Sequence, residues 1–95
     1  MKTNSNLSKR LRRKISLKTL RADPRFLALT PQAKTILNHL NEAGTITQRE
    51  AIMDHSVQSL TRRITEIRDA GFSVPGVWKV HPTTGQRYMR YSFSG

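Results

Sequence analysis

The strongest apolar pattern along the chain has helical spacing and lies in residues 31–43. Thr30-Pro31 is a typical helix start, because a capping hydroxyl precedes a proline at the first helical position. Gly44 follows where a left-handed residue commonly ends a helix. The apolar face between these signals comprises Ala33, Ile36, Leu37, Leu40 and Ala43. The pattern predicts an amphipathic helix of about thirteen residues.

Two shorter helices are predicted next, after a minimal extended segment at Thr45-Ile46. The spacing of Thr47 and Glu50 predicts a capping box at the start of the first. Its inward face is expected to hold Ala51, Ile52 and His55. Ser56 is expected to cap the following helix, which Gly71 closes. The buried stripe of that helix is predicted to be Val57, Leu60, Ile64 and Ile67. Two short helices joined so closely must cross steeply, which is the helix-turn-helix geometry.

Beyond Gly71 the apolar period changes from helical to alternating, which predicts a β-hairpin. Val77–Val80 and Arg87–Phe93 are the predicted strands, and residues 81–86 form the loop. The hairpin carries three large aromatic side chains, Trp78, Tyr88 and Tyr91. They can stack on bases, but in a small hairpin such side chains more often pack on the helices. The predicted fold is mainly α with a small β-hairpin wing: a three-helix winged helix-turn-helix.

Charge is concentrated at the N-terminus of this 95-residue chain, which is long enough for one small domain. Residues 1–29 carry nine basic and one acidic side chain, a net charge of +8, whereas residues 30–95 carry eight and five, a net +3. We therefore predict a basic N-terminal arm over residues 1–25, disordered or helical on binding, before a domain over residues 26–95. Leu7, Leu11 and Ile15 would form one stripe of an arm helix, and Asp23-Pro24 would end it.

The total charge of +11 favours a polyanionic partner, because Lys and Arg placed on phosphates release counterions. Duplex DNA is the leading hypothesis, with the third helix in the major groove, the wing on the adjacent backbone and the arm along phosphates or in the minor groove. The candidate contacts are polar or basic side chains of these three parts. They are Gln58, Ser59, Thr61, Arg62 and Arg63 on the helix, Lys79, Gln86, Arg87 and Arg90 on the wing, and Lys9, Arg10, Arg12, Arg13 and Lys14 on the arm.

Catalytic, metal-binding and membrane functions are not predicted. The chain has no cysteine and no Gly-rich phosphate loop or nucleophile motif, and its carboxylates are scattered. His39, His55 and His81 lack metal-ligand spacing, and His39 is expected to face solvent. No apolar run approaches the length of a membrane span. We expect a soluble cytoplasmic protein without catalytic residues, metal or cofactor.

Several short stretches resemble a family of small helix-turn-helix domains common in bacteriophage and prophage genomes. They are Ile46-Thr47-Gln48, Glu50-Ala51, Leu60, Arg63-Ile64, Glu66-Ile67-Arg68, Gly71 and the run Gly85 to Tyr91. The resemblance implies a winged-helix fold, DNA binding and a regulatory or accessory role, in the cytoplasm of a bacterial host if a phage encodes the chain. The sequence departs from the family at Ser56, where a glycine usually makes the turn.

The sequence is also compatible with two other partners. The winged domain can dock on a host enzyme such as RNA polymerase or a nuclease, with the arm as a helix in a groove of that partner. Structured RNA is the third alternative, because it presents phosphates to the same basic side chains.

Overall fold

The computed structural model describes residues 15–93 of the chain. Within them lie five helices and three strands. They are α1 (Leu17–Ala22), α2 (Pro24–Leu27), α3 (Pro31–Ala43), β1 (Thr45–Thr47), α4 (Gln48–His55), α5 (Leu60–Asp69), β2 (Gly76–Val80) and β3 (Arg87–Ser92). The predicted arm contacts lie outside the described residues. They are Lys9, Arg10, Arg12, Arg13 and Lys14.

Helix α3 has the bounds that its capping signals predict. The hydroxyl of Thr30 accepts a hydrogen bond from the Ala33 N–H at 3.4 Å, and Gly44 ends the helix with φ 89°. The buried stripe is Ala33, Ile36, Leu37 and Leu40. Ala43, predicted to share this stripe, is instead exposed, because it lies at the last helical position.

Helices α4 and α5 follow the predicted order, and both halves of the capping box at Thr47 and Glu50 are present. Ala51 is fully buried under α4, whereas Ile52 is 45% exposed and does not face inward as predicted. Val57 is buried but lies in the turn before α5. On α5 itself, Leu60, Ile64 and Ile67 form the buried stripe.

The three strands form one antiparallel sheet in the order β1-β3-β2. The minimal strand β1 pairs with the end of β3, where Ile46 lies opposite Tyr91. β2 and β3 form the predicted hairpin, with Trp78 opposite Met89 and Val80 opposite Arg87. Tyr91 and Phe93 are buried in the core and hold one side of the sheet against the helices.

Helices α1 and α2 pack on the same core, with Leu20 and Phe26 buried. The side chain of the buried Asn41 clamps the backbone of Ile15: its Oδ1 accepts from the Ile15 N–H at 2.8 Å, and its Nδ2 donates to the Ile15 carbonyl at 2.6 Å. Residues 15–25, which the sequence assigned to the arm, thus contain helices that pack on the domain.

Asp23 separates α1 from α2, as its position before a proline predicts. Its carboxylate accepts from the Arg25 N–H at 2.8 Å, and the Arg25 guanidinium lies 2.8 Å from it. The hydrogen bond from that guanidinium lowers the pKa of Asp23 below its ordinary value. Arg25 also lies over the ring of Phe72, 4.1 Å from its centroid, and so ties α2 to the segment after α5.

No helix within residues 15–93 is long and apolar enough to cross a bilayer.

Candidate nucleic-acid interface

The turn between α4 and α5 is made by a serine in a glycine-like conformation. Ser56 has φ 57° and ψ 28°, and among the described residues no other non-glycine residue has a positive φ. The Ser56 N–H donates to the Ile52 carbonyl and the Val57 N–H to the Ala51 carbonyl, each at 3.0 Å. Ser56 therefore ends α4, and the prediction that it caps the next helix is wrong.

Replacing Ser56 with glycine is expected to stabilise the fold by about 0.5–1 kcal/mol, because the left-handed region is unfavourable for residues with a Cβ. Thermal unfolding followed by circular dichroism measures the effect, expected to be a rise of about 2–8 °C in Tm. Ser73→Gly is the matched control, since Ser73 is exposed and has no positive φ. A Ser56→Gly variant no more stable than wild type would contradict this account.

Gln48 caps α5 from the first turn of α4. Its Oε1 accepts from the Leu60 N–H at 3.0 Å, and its Nε2 donates to the carbonyls of Val57 and Gln58 at 3.3 and 3.1 Å. Ser59, the residue at the N-cap position, makes no side-chain capping bond. One partly buried amide thus satisfies three backbone groups of the turn and joins α4 to the start of α5.

A polar surface faces solvent at the start of α5 and in the turn before it. Thr61 and Arg62 are exposed on the helix, as the helical periodicity predicts. Gln58 and Ser59 are also exposed, but they lie in the turn, because α5 begins at Leu60 and not directly after Ser56 as predicted. Arg62 forms no ion pair with any residue in the 15–93 range. The hydroxyls of Thr61 and Tyr91 lie 3.5 Å apart, so this end of α5 adjoins the base of the wing.

Arg63 does not belong to this surface, contrary to the sequence prediction. Its side chain is only 16% exposed, and its Nη1 lies 3.3 Å from Glu66 Oε1. The same Nη1 donates to the Thr30 hydroxyl at 3.1 Å, while Glu66 accepts from the Thr30 N–H at 2.8 Å. Arg63 therefore holds the start of α3 against α5 through its Nη1.

The basic residues of the wing are divided between its two faces by the strand register. Lys79, Gln86 and Arg87 are exposed. Arg90 is half-buried, and its Nη1 donates to the Thr45 hydroxyl at 3.0 Å and lies 3.9 Å from Glu50. Side chains of directly paired residues point to the same face. Arg87 therefore lies on the face of Tyr91, whereas Lys79 and Arg90 share the other face.

The aromatic residues of the wing differ in burial. Tyr91 is buried, Tyr88 is half-buried, and Trp78 is 59% exposed. The prediction that such side chains pack on the helices therefore holds for Tyr91 and is wrong for Trp78. The Arg87 guanidinium lies over the Trp78 ring, 5.4 Å from its centroid.

Two histidines meet although they are on different helices. The Nδ1 of His39 and the Nε2 of His55 lie 2.9 Å apart, and both rings are half-buried. The prediction that His39 faces solvent is therefore wrong. Across residues 15–93, no three His, Cys, Asp or Glu side chains are grouped so that they could hold a metal ion.

The arrangement defines a class of protein: a helix-turn-helix whose second helix shows a polar end beside a basic β-hairpin. The comparisons agree, because the family model described as "Winged helix-turn-helix domain" matches residues 31–94. The chain belongs to this family. Searches of curated proteins and of solved structures gave no match. Domains of this class are typically DNA-binding modules without catalytic activity, and α1 and α2 lie outside the matched region.

Proposed function

We propose that this protein binds duplex DNA, with the N-terminal half of α5 in the major groove and the wing against the neighbouring backbone. The observation that carries the proposal is the exposed polar surface of Gln58, Ser59, Thr61 and Arg62, at the start of the second helix of a winged helix-turn-helix and in the turn before it. Side chains of these types donate and accept hydrogen bonds at base edges and phosphates. Lys79, Gln86 and Arg87 add contacts from the wing, and the basic residues before Ile15 add further phosphate contacts.

The charge distribution supports a nucleic-acid partner for this face. The chain has no acidic residue after Asp69, so the wing carries only the positive charges of Lys79, Arg87 and Arg90. Glu66 on α5 is engaged by Arg63, and Glu50 lies 3.9 Å from Arg90 of the wing. A polyanion approaching the start of α5 and the wing therefore meets more positive than negative charge on the wing side.

Replacing Arg62 with alanine tests the proposal directly. We expect affinity for a preferred duplex, selected from a random pool, to fall about 5- to 100-fold, the range for a lost side-chain contact to a base. Affinity for random duplex should fall less, because phosphate contacts are shared by all sequences. Fluorescence anisotropy at fixed salt measures both.

Lys18→Ala is the control for that experiment. Lys18 is exposed and carries the same charge, but it lies on α1 rather than on the proposed surface. A loss caused by charge alone would be similar in the two variants and equal for selected and random DNA. That result would remove α5 from the interface.

We propose a regulatory or accessory role for this DNA binding, as the resemblance to phage domains implies.

A protein partner is the second candidate, and α4 carries the observation that favours it. Ile52 and Met53 are 45% and 72% exposed and line a groove with Tyr88 of β3. A host protein that is captured stoichiometrically from nuclease-treated lysate, and lost on Met53→Asp substitution, would support this alternative. Competition between duplex DNA and structured RNA tests the RNA alternative.

A further inference from the structure

The exposed apolar side chains of the wing have no role in duplex binding as proposed above. Trp78 and Val80 are 59% and 61% exposed and lie on the same face of β2. Burying these side chains away from water would be favourable, because the transfer of large apolar side chains out of solvent lowers the free energy. Among the described residues, the Arg87 guanidinium lies over the Trp78 ring, yet most of the side chain still faces solvent.

The strand register places Trp78 on the side of the sheet that faces α5. Gly76 pairs with the buried Tyr91 and Trp78 pairs with Met89, so Trp78 points to the same side as Tyr91 but farther toward the tip. Two residues of a strand span roughly 7 Å, which is about two base steps of a nucleic-acid strand. Trp78 therefore lies about two base steps farther toward the tip than Gly76, which is paired with Tyr91, and the Tyr91 hydroxyl lies 3.5 Å from that of Thr61 on α5.

The surroundings of Trp78 favour a nucleobase over an apolar protein surface. The Arg87 guanidinium lies 5.4 Å from the centroid of the ring, and every formal charge after Asp69 is positive. Aromatic rings with adjacent arginines are typical of sites where bases stack and phosphates pair with the cations. A protein surface that covered Trp78 would also have to provide an acidic or polar group for Arg87.

An unpaired base fits better than one inside a duplex. Wedging a side chain between stacked base pairs requires unstacking them, at a free-energy cost of a few kcal/mol. A base that is already unpaired avoids this cost and still gains the stacking. We therefore infer that Trp78 stacks on an unpaired base, and that the preferred ligand is a duplex continued by a single-stranded extension. This inference rests on the proposed duplex binding by α5.

The test compares three ligands under one salt condition: a blunt duplex, the same duplex with a single-stranded extension, and the extension alone. We expect wild type to bind the extended duplex about 5- to 100-fold more tightly than the blunt one. Trp78→Ala should lose this preference but keep its affinity for the blunt duplex, and Trp78→Phe should keep most of it. Extensions at the 5′ end and at the 3′ end are tested separately, and the preference is taken from the one that wild type binds more tightly.

Val77→Ala is the matched control. Val77 precedes Trp78 on the same strand and is similarly exposed, but it pairs with Arg90 and so points to the opposite face. It should keep the preference. Because Trp78 is the chain's single tryptophan, its fluorescence reports the site directly. We expect quenching by the extended duplex and little change with the blunt one. Circular dichroism confirms that each variant is folded.

The outcomes separate this inference from the proposed function. Tight, salt-sensitive binding of the blunt duplex with no gain from either extension would overturn the stacking inference and leave duplex binding intact. The same conclusion follows if Trp78→Ala retains the preference. If the extension alone binds as tightly as the extended duplex, the junction preference is wrong. Duplex binding by α5 is wrong if the blunt duplex does not bind.

Discussion

Raising the salt concentration from about 50 mM to about 200 mM is expected to weaken binding to random duplex DNA about 10³- to 10⁴-fold. The reason is counterion release: if six to eight phosphates are neutralised, log affinity falls against log salt with a slope of roughly −5 to −7. The chain's net charge of +11 is large enough to supply these contacts. Fluorescence anisotropy over a salt series gives the slope, and a slope near zero would remove the DNA hypothesis.

The segment before Ile15 is expected to contribute a large part of this slope. Residues 1–14 carry six basic and no acidic side chains. Five of these basic side chains are clustered: Lys9, Arg10, Arg12, Arg13 and Lys14. Replacing all five with glutamine should reduce the magnitude of the slope by about 3 to 4. Substitution is preferable to deleting residues 1–22, because such a deletion would remove the buried Leu20 and the Ile15 backbone that Asn41 holds.

A scrambled segment separates electrostatic binding from docking on a protein. Counterion release depends on the number of charges and not on their order, so a variant with residues 2–14 in scrambled order should keep the wild-type slope. A helix that inserts into a groove of a partner depends on its apolar spacing, here Leu7 and Leu11. A scrambled variant that loses DNA binding would therefore contradict the phosphate-contact account of this segment.

The elements that sequence reasoning placed well are those with local signals. Helix α3 begins and ends where Thr30-Pro31 and Gly44 predict, because capping involves residues within one turn of the helix end. The capping box of α4 is local in the same sense. The hairpin follows from alternation and turn residues, which are also short-range features.

The errors concern side chains whose partners lie on other elements. Arg63 falls near the exposed face on a helical projection and pairs with Glu66 on the same helix, but Thr30 reaches it only because the start of α3 packs beside α5. His39 is polar and on a surface helix, yet His55 reaches it from α4. Such pairings depend on tertiary packing, which the spacing of residues along one helix does not encode.

The exposure of Trp78 has a different origin. A tryptophan in a small domain is expected to be largely buried, since it removes a large apolar surface from water. Here β2 is an outer strand of the sheet, and Tyr91 and Phe93 at the base of the hairpin already fill the space against the helices. Trp78 lies farther toward the tip and is exposed, so alternation alone predicts the face on which it lies but not what covers it.

The turn of the helix-turn-helix also depends on a contact between elements that local sequence patterns do not show. Both Ser56 and Ser59 are suitable N-cap residues by type, but neither caps α5 with its side chain. The cap comes from Gln48, twelve positions before Leu60. One sequence signal points to this cap. Gln48 is a polar residue at the first position of α4, and the polar side of α4 must face the turn.

Replacing Gln48 with alanine is expected to lower the free energy of unfolding by about 2–3 kcal/mol. The estimate takes about 1 kcal/mol for each of three hydrogen bonds, one of which is a helix cap. The three partners are the Leu60 N–H and the carbonyls of Val57 and Gln58. In a domain of this size the change corresponds to a fall of roughly 10–20 °C in Tm. Denaturant unfolding followed by far-ultraviolet circular dichroism measures it.

Two further variants make the experiment specific. Gln32→Ala removes an exposed glutamine from the first turn of α3 and is expected to change stability by less than about 0.5 kcal/mol. Gln48→Glu keeps the acceptor for Leu60 but replaces the amide donor with a carboxylate oxygen facing two carbonyls, so we expect it to be less stable than wild type. If Gln48→Ala unfolds like Gln32→Ala, the amide does not hold the turn, and the angle between α4 and α5 must depend on core packing alone.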